Sequence, residues 1–268
     1  MTSSVVRLGS VNYLNAQPLI AGLDAPDSGF TVRFDPPAVC ATLLADGVID
    51  LGLIPAIAYH DRPTDRIVPG VSIGSDGAVA SVAIFTRRPI ADVRTIALDT
   101  SSRTSVALTR ILCRRVFGIA PTFARQAPDL SAMLAESDAA LVIGDPALFA
   151  DHHALGAEKI DLGLAWSTLT GLPFVWAFWA GRPDAASPEA VRRLQATRDA
   201  GMLRADELAD AYVAHTPAWQ ATARAYFRDH MVYGLTPRML EGLRTYYREA
   251  AAVGVIETPA TPLFFDEE

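Results

Sequence analysis

The sequence predicts a two-lobed α/β fold with a helical C-terminal tail, and three observations carry that expectation. Short apolar runs alternate with helix-like runs from the N-terminus to Ile143, the pattern of parallel sheets with helices packed on their faces. Two long apolar segments, Ala80–Thr86 and Phe174–Trp179, stand where the chain would cross between two such units. Beyond Gly181 only helical periodicity remains.

Each element follows from its residues. Val5–Val11 is strand-like, and Pro18 opens a short helix to Leu23, Pro being favoured at an early helical position. Phe30–Phe34 is a second strand, stopped by Pro36-Pro37, and Ala38–Ala45 has helical periodicity. Asp50–Ile54 reads as a buried third strand, and Pro55–His60 starts another helix. Ile73–Gly77 reads as a loop before Ala80–Thr86. A second α/β unit begins at Thr95–Asp99 and continues through helix Val106–Phe117, strand Thr122–Arg125, helix Leu130–Glu136 and strand Ala139–Ile143. The tail reads as helices Pro188–Ala200, Ala205–His215, Trp219–Tyr226 and Pro237–Ala252. Ser187-Pro188 and Thr236-Pro237 supply N-cap chemistry for two of them. The expected division is one discontinuous lobe of residues 1–86 plus 180–268 and a second lobe of 87–179.

Composition sets the limits. With 268 residues, half of them hydrophobic and 20% charged, the chain can bury a large core. A formal net charge of −7 argues against nucleic acid or an anionic membrane as partner, though a pocket can still be locally positive. No run of 18 uninterrupted apolar residues occurs, and Met1–Gly9 lacks a signal-peptide apolar core, so a cytoplasmic protein is expected. The two cysteines, Cys40 and Cys113, are expected as buried free thiols.

The richest stretch is Thr100-Ser101-Ser102-Arg103-Thr104-Ser105, where a strand hands over to a helix. One hydroxyl would suffice as a cap. Five hydroxyls and a guanidinium beside outward backbone N–H groups suit a carboxylate or phosphate. Ser10-Val11-Asn12-Tyr13-Leu14-Asn15 follows the first strand and supplies either a polar cleft wall or ordinary turn chemistry. Ser81, at the start of a buried strand, either points into a cleft or bonds a neighbouring carbonyl. Asp145, after Ile143-Gly144, is equally placed to cap the short helix that follows. Trp166 and Thr170-Gly171-Leu172-Pro173-Phe174-Val175-Trp176 could line a pocket for a ring or belong to the core. Nucleotide-binding glycine loops and the G-x-S-x-G nucleophile motif are absent, and His152-His153 lacks further ligands at metal spacing.

Five motifs in order, Gly9–Asn15, Ile49–Pro55, Ser101–Ser105, Leu141–Asp145 and Thr170–Trp176, together resemble the chorismate dehydratases of the futalosine route to menaquinone. The resemblance covers residues 5–180 closely and the tail loosely. It implies a periplasmic-binding-protein-like (type 2) clamshell working in the cytoplasm as a lyase, without cofactor or metal. The implied reaction converts chorismate to 3-[(1-carboxyvinyl)oxy]benzoate and water. The alternatives are the sister 1,4-dihydroxy-6-naphthoate synthases, which share the fold, and a non-catalytic solute-binding protein.

On this resemblance Asn15 and Ser81 are the expected catalytic residues. Ser102, Arg103, Thr104 and Ser105 would hold one substrate carboxylate, with Ser10, Asn12, Asp145, Thr170 and Gly171 as further substrate contacts. An amide is not a base, so proton removal falls either to Asp76, Asp99 or Asp145, or to the substrate's own enolpyruvyl carboxylate.

Overall fold

The computed structural model describes residues 5–265, which form two sheets and a helical tail. Strand β1 (Val6–Ser10) leads through a 3-10 turn (Leu14–Ala16) into the short helix α1 (Gln17–Ile20). Next come β2 (Phe30–Phe34), α2 (Pro37–Ala45) and β3 (Leu51–Pro55). A 3-10 helix (Ala56–Asp61) takes the place of the expected α-helix, and β4 (Arg66–Ile67) and β5 (Ile73–Ser75) follow. The second unit holds β6 (Val82–Thr86), β7 (Thr95–Asp99), α3 (Thr104–Leu112), β8 (Thr122–Gln126), α4 (Leu130–Glu136), β9 (Ala139–Ile143), α5 (Asp145–Leu148), β10 (Glu158–Asp161) and α6 (Leu162–Thr170). Strand β11 (Phe174–Gly181) precedes the tail helices α7 (Pro188–Leu203), α8 (Ala205–Tyr212), α9 (Gln220–Asp229) and α10 (Pro237–Ala252).

The first sheet has the order β2-β1-β3-β11-β4, with β5 also paired to β11, and the second has the order β10-β6-β9-β7-β8. In each, three strands run parallel (β2, β1, β3 and β8, β7, β9), and antiparallel strands complete the sheet. Strands β3 and β9 are buried at every residue, as expected for inner strands covered on both faces.

Strand pairing moves the crossings from the expected boundaries at residues 86 and 180. All of β6 pairs within the second sheet, from Val82 with Ile143 to Thr86 with Ala139. All of β11 pairs within the first, Phe178 with Ile54 and Ala180 with Gly52. The chain therefore changes sheets in the loops before Val82 and before Phe174. Apolar runs of this length belong inside a sheet, because their backbone N–H and C=O groups need partners along the whole run.

Sequence readings of the tail helices hold closely. Ser187 and Thr236 accept hydrogen bonds from the N–H groups of Ala190 (3.2 Å) and Met239 (3.3 Å). Cys40 and Cys113 are free and buried, and burial pushes both thiols up to about 12. Among the described residues no helix is long and apolar enough to cross a membrane.

Candidate functional site

The C-terminal ends of β1, β3, β7 and β9 converge between the sheets, the usual ligand position in open α/β folds. There the structure forms a narrow, largely closed cleft with a cavity volume of about 60 Å³. Its polar lining is Tyr13, Asn15, Ser81, Ser102, Thr104 and Ser105, and Trp176 forms an aromatic wall beside Val11, Leu53, Ile73 and Ile143. The mixture of an aromatic wall with a few polar groups is that of a site for a ring with polar substituents, and the two sheets must part to admit one.

The hydroxyls of the turn are tied into the backbone around them. Ser102 Oγ accepts from the Ser105 N–H at 3.2 Å, and Thr104 Oγ1 accepts from the Ile57 N–H at 3.2 Å. Each hydroxyl that accepts from backbone keeps its own proton to donate elsewhere. The N–H groups of Arg103 and Thr104, at the start of α3, have no protein partner among the described residues. Hydroxyl donors and unpaired N–H groups at a helix start make up a neutral cradle of the chemistry that anions are generally held by.

Arg103 is not part of that cradle. Its guanidinium turns to the outer side of α3 and donates to Thr42 Oγ1 at 3.0 Å, in a separate groove. The reason is helical geometry, since Ser102, Thr104 and Ser105 occupy the cleft side of the turn.

Asn15 and Ser81 come together from opposite sheets. Ser81 is 1% exposed, and its hydroxyl lies 2.7 Å from the Tyr226 hydroxyl. The preceding residue, Ala80, has φ 60°, a left-handed conformation that costs a non-glycine residue energy. Asp161 holds that turn by accepting from the Val79 N–H at 3.0 Å and the Ala80 N–H at 2.6 Å. Asn15 has a buried Oδ1 with no hydrogen-bond partner, an acceptor left open. Gly144 (φ 65°) lets the chain pass under Tyr13; a Cβ there would lie 3.0 Å from the ring.

Other expected contacts lie elsewhere, each for a local reason. The hydroxyl of Ser10 bonds the Val11 carbonyl inside the first sheet's layer. Asn12 is exposed, its side chain accepting from Gln17. Thr170 bonds back to the Trp166 carbonyl at 2.9 Å, and Gly171 is the left-handed C-cap of α6, so both finish a helix. Trp166 is core, edge-on to Phe174.

None of the three candidate carboxylates lines the cleft. Asp76 pairs with Arg238 at the surface. Asp99 is buried on the far side of the turn, accepting from the Ser101 N–H (2.8 Å) and hydroxyl (2.6 Å), and burial raises its carboxyl above the ordinary range. Asp145 joins the two halves of the molecule. It accepts from the Leu14 N–H at 3.1 Å and from the Tyr212 hydroxyl, and burial raises its carboxyl despite those bonds.

The sequence reading missed what the tail contributes. Five tyrosines between 212 and 247 donate to, or bond, the groups that shape the cleft. Tyr212 reaches the Asn12 carbonyl (2.8 Å), Tyr233 the Asn15 carbonyl (2.9 Å), Tyr246 the Thr104 carbonyl (2.9 Å) and Tyr247 the Ala56 carbonyl (2.8 Å). Tyr226 meets Ser81. Their helical spacing reads as ordinary core, and nothing local in the sequence marks where the hydroxyls end.

A family model described as menaquinone biosynthesis matches residues 6–252. Over 277 residues the chain is 31% identical to the chorismate dehydratase of Thermus thermophilus, spanning 97% of this chain and 98% of that protein. Protein AF1704 from Archaeoglobus fulgidus superposes with a TM-score of 0.77 at 17% identity, covering 96% of this chain and 100% of that one. The Candida albicans CA3427 product, described as having the generic periplasmic binding protein fold, matches with a TM-score of 0.68 at 10% identity over 98% of both chains. At such identities the two structures speak for the fold alone, the two-lobed type 2 periplasmic-binding-protein architecture. The family model and the curated relative span nearly the whole chain, and by them this chain belongs to the menaquinone-biosynthesis family.

Proposed function

We propose that this chain is a chorismate dehydratase, converting chorismate to 3-[(1-carboxyvinyl)oxy]benzoate and water in the cytoplasm. The observation that carries the reading is the lining of the cleft. It offers an anion cradle, an aromatic wall and an open amide acceptor, with no carboxylate, imidazole or amine among its residues. A dehydration whose substrate brings its own carboxylate needs just such a site.

The ring carboxylate sits on the hydroxyls of Ser102, Thr104 and Ser105 and the N–H groups at the start of α3. Trp176 lies against the ring. The enolpyruvyl carboxylate of the substrate takes the proton from the ring carbon that bears the ether. The electron pair left behind expels the neighbouring hydroxyl, which Ser81 hydrogen-bonds as it departs and which takes up the proton held by the enolpyruvyl carboxylate. Asn15 accepts from that hydroxyl and fixes its direction. Proton and hydroxide leave as one water, the ring becomes aromatic, and no electrons are exchanged, so no cofactor is required. The protein supplies conformation and charge stabilisation in a dry site.

Incubating the purified chain with chorismate and following the aromatic ultraviolet product tests the proposal directly. Binding without turnover would leave a solute-binding protein. Turnover of cyclic dehypoxanthine futalosine in place of chorismate would assign the naphthoate synthase activity. For the proton acceptor, Asp76→Asn, Asp99→Asn and Asp145→Asn should each keep kcat within about tenfold, and Asn15→Ala should lower it about 10²-fold. A loss of about 10² in one of the three Asp variants would instead return the base to the protein.

A further inference from the structure

Resting on the assignment of Ser81 and Asn15 to the reaction, we propose that Tyr226 of α9 is a positioning residue whose phenol sets the hydrogen-bond polarity of both. Its hydroxyl lies 2.7 Å from Ser81 Oγ, and the Asn15 side chain stands near enough to influence the phenol. Tyr226 is 2% exposed and does not line the cleft, so it touches the two groups and not the ligand.

With Asn15 Oδ1 the amide atom left without a partner, the donor count selects one arrangement. A phenol has one proton to give and can accept; so can a serine hydroxyl, and an amide has an NH2 that only donates and an oxygen that only accepts. If the Asn15 NH2 donates to the phenol oxygen, the phenol proton goes to Ser81 Oγ. Ser81 is then left with its own O–H directed at the cleft, and Asn15 with its Oδ1 directed there. Oδ1 is the buried oxygen that has no partner in the protein. The result is one donor and one acceptor side by side, which matches a hydroxyl leaving group: it donates to Asn15 and accepts from Ser81.

Two features keep the phenol in its donor role. Burial raises it above the range of an ordinary tyrosine, so it stays protonated across the physiological range. The turn that delivers Ser81 is fixed by Asp161 and by the left-handed Ala80, so the backbone that carries the serine is held in place. Tyr233 donates at 2.9 Å to the Asn15 carbonyl and fixes the other end of the pair.

Removing only the phenol oxygen tests this. Tyr226→Phe keeps the ring that packs against Phe227, and it should fold with a melting temperature within a few degrees of the unsubstituted chain. We expect kcat on chorismate to fall about 10- to 50-fold with KM changed less than about twofold, because an unanchored Ser81 can turn its proton away from the cleft. In a Ser81→Ala background the same substitution should cost clearly less than it does in the unsubstituted chain, about fivefold at most, since only Asn15 is left for the phenol to orient. Full kcat in Tyr226→Phe, or a loss that adds undiminished to that of Ser81→Ala, would overturn the inference and leave the dehydratase reading standing. No turnover by the unsubstituted chain would remove both.

Discussion

Asp145 offers the sharpest separation of a structural role from a chemical one. Its carboxylate accepts from the N–H of Leu14, a fully buried residue in the first unit, and from the phenol of Tyr212 in the tail. Asp145→Ala leaves the Leu14 N–H buried without a partner, which costs about 1–3 kcal/mol. The Tyr212 hydroxyl keeps the Asn12 carbonyl at 2.8 Å, so its share is smaller, about 0.5–1 kcal/mol. The sum is about 1.5–4 kcal/mol, or a fall in Tm of about 3–8 °C for a chain near this size. Asp145→Asn behaves differently. Its oxygen still accepts from Leu14, and its NH2 donates to Tyr212, whose own proton goes to Asn12. Tm should then stay within about 2 °C and kcat within about threefold. Differential scanning fluorimetry on both variants, beside initial rates on chorismate, checks each value. A drop in kcat of about 10² in Asp145→Asn at unchanged Tm would refute the reasoning, because only loss of a proton acceptor joins those two results.

Three further outcomes follow from the geometry. Arg103→Gln should leave KM for chorismate within about threefold, because the guanidinium bonds Thr42 outside the cleft; steady-state kinetics at fixed ionic strength measures it. Asp99 has a carboxyl raised by burial, so the folded state holds its proton more tightly than the unfolded chain. The stability from that group is present at pH below the ordinary aspartate value and is lost as pH rises through the raised one. Melting curves of the chain and Asp99→Asn should therefore diverge in favour of the variant as pH rises above the ordinary aspartate range, and a constant gap would contradict this. Finally, a Cβ at Gly242 would lie 2.1 Å from the Pro173 carbonyl oxygen, so Gly242→Ala must push α10 away from the segment before β11. A Tm loss of roughly 5 °C or more is expected, read by circular dichroism.

Strand and helix order was legible because burial imposes a period. Residues 51–55 and 139–143 are apolar throughout, and the tail helices carry their own caps. Helix α6 and the strands β4, β5 and β10 escaped notice. β4 and β5 are too short to show a period, and Glu158–Asp161 at the sheet's edge alternates polar groups that read as loop. Within the site, residue type was legible and direction was not. Ser10 and Ser81 look alike on paper, yet one turns into its own sheet layer and the other into the cleft. Arg103 appeared to complete an anion site because a guanidinium sat among hydroxyls, while the helical turn sends it outward. Tyr226 and Tyr233 could not be found at all, because their partners are 145 and 218 residues distant.

The tail phenols also fix when in a molecule's life the cleft comes into being. Both sheets and the hydroxyl turn are synthesised before Gly181, while Tyr212, Tyr226, Tyr233, Tyr246 and Tyr247 emerge later. At about 5–20 residues per second, a nascent chain spends several seconds with two formed sheets and an unfinished pocket. During that interval Asn15 and Ser81 face solvent with no phenol between them. Docking of the last helices is then the birth of the site as well as the end of folding, because the phenols that shape the cleft also belong to the main core.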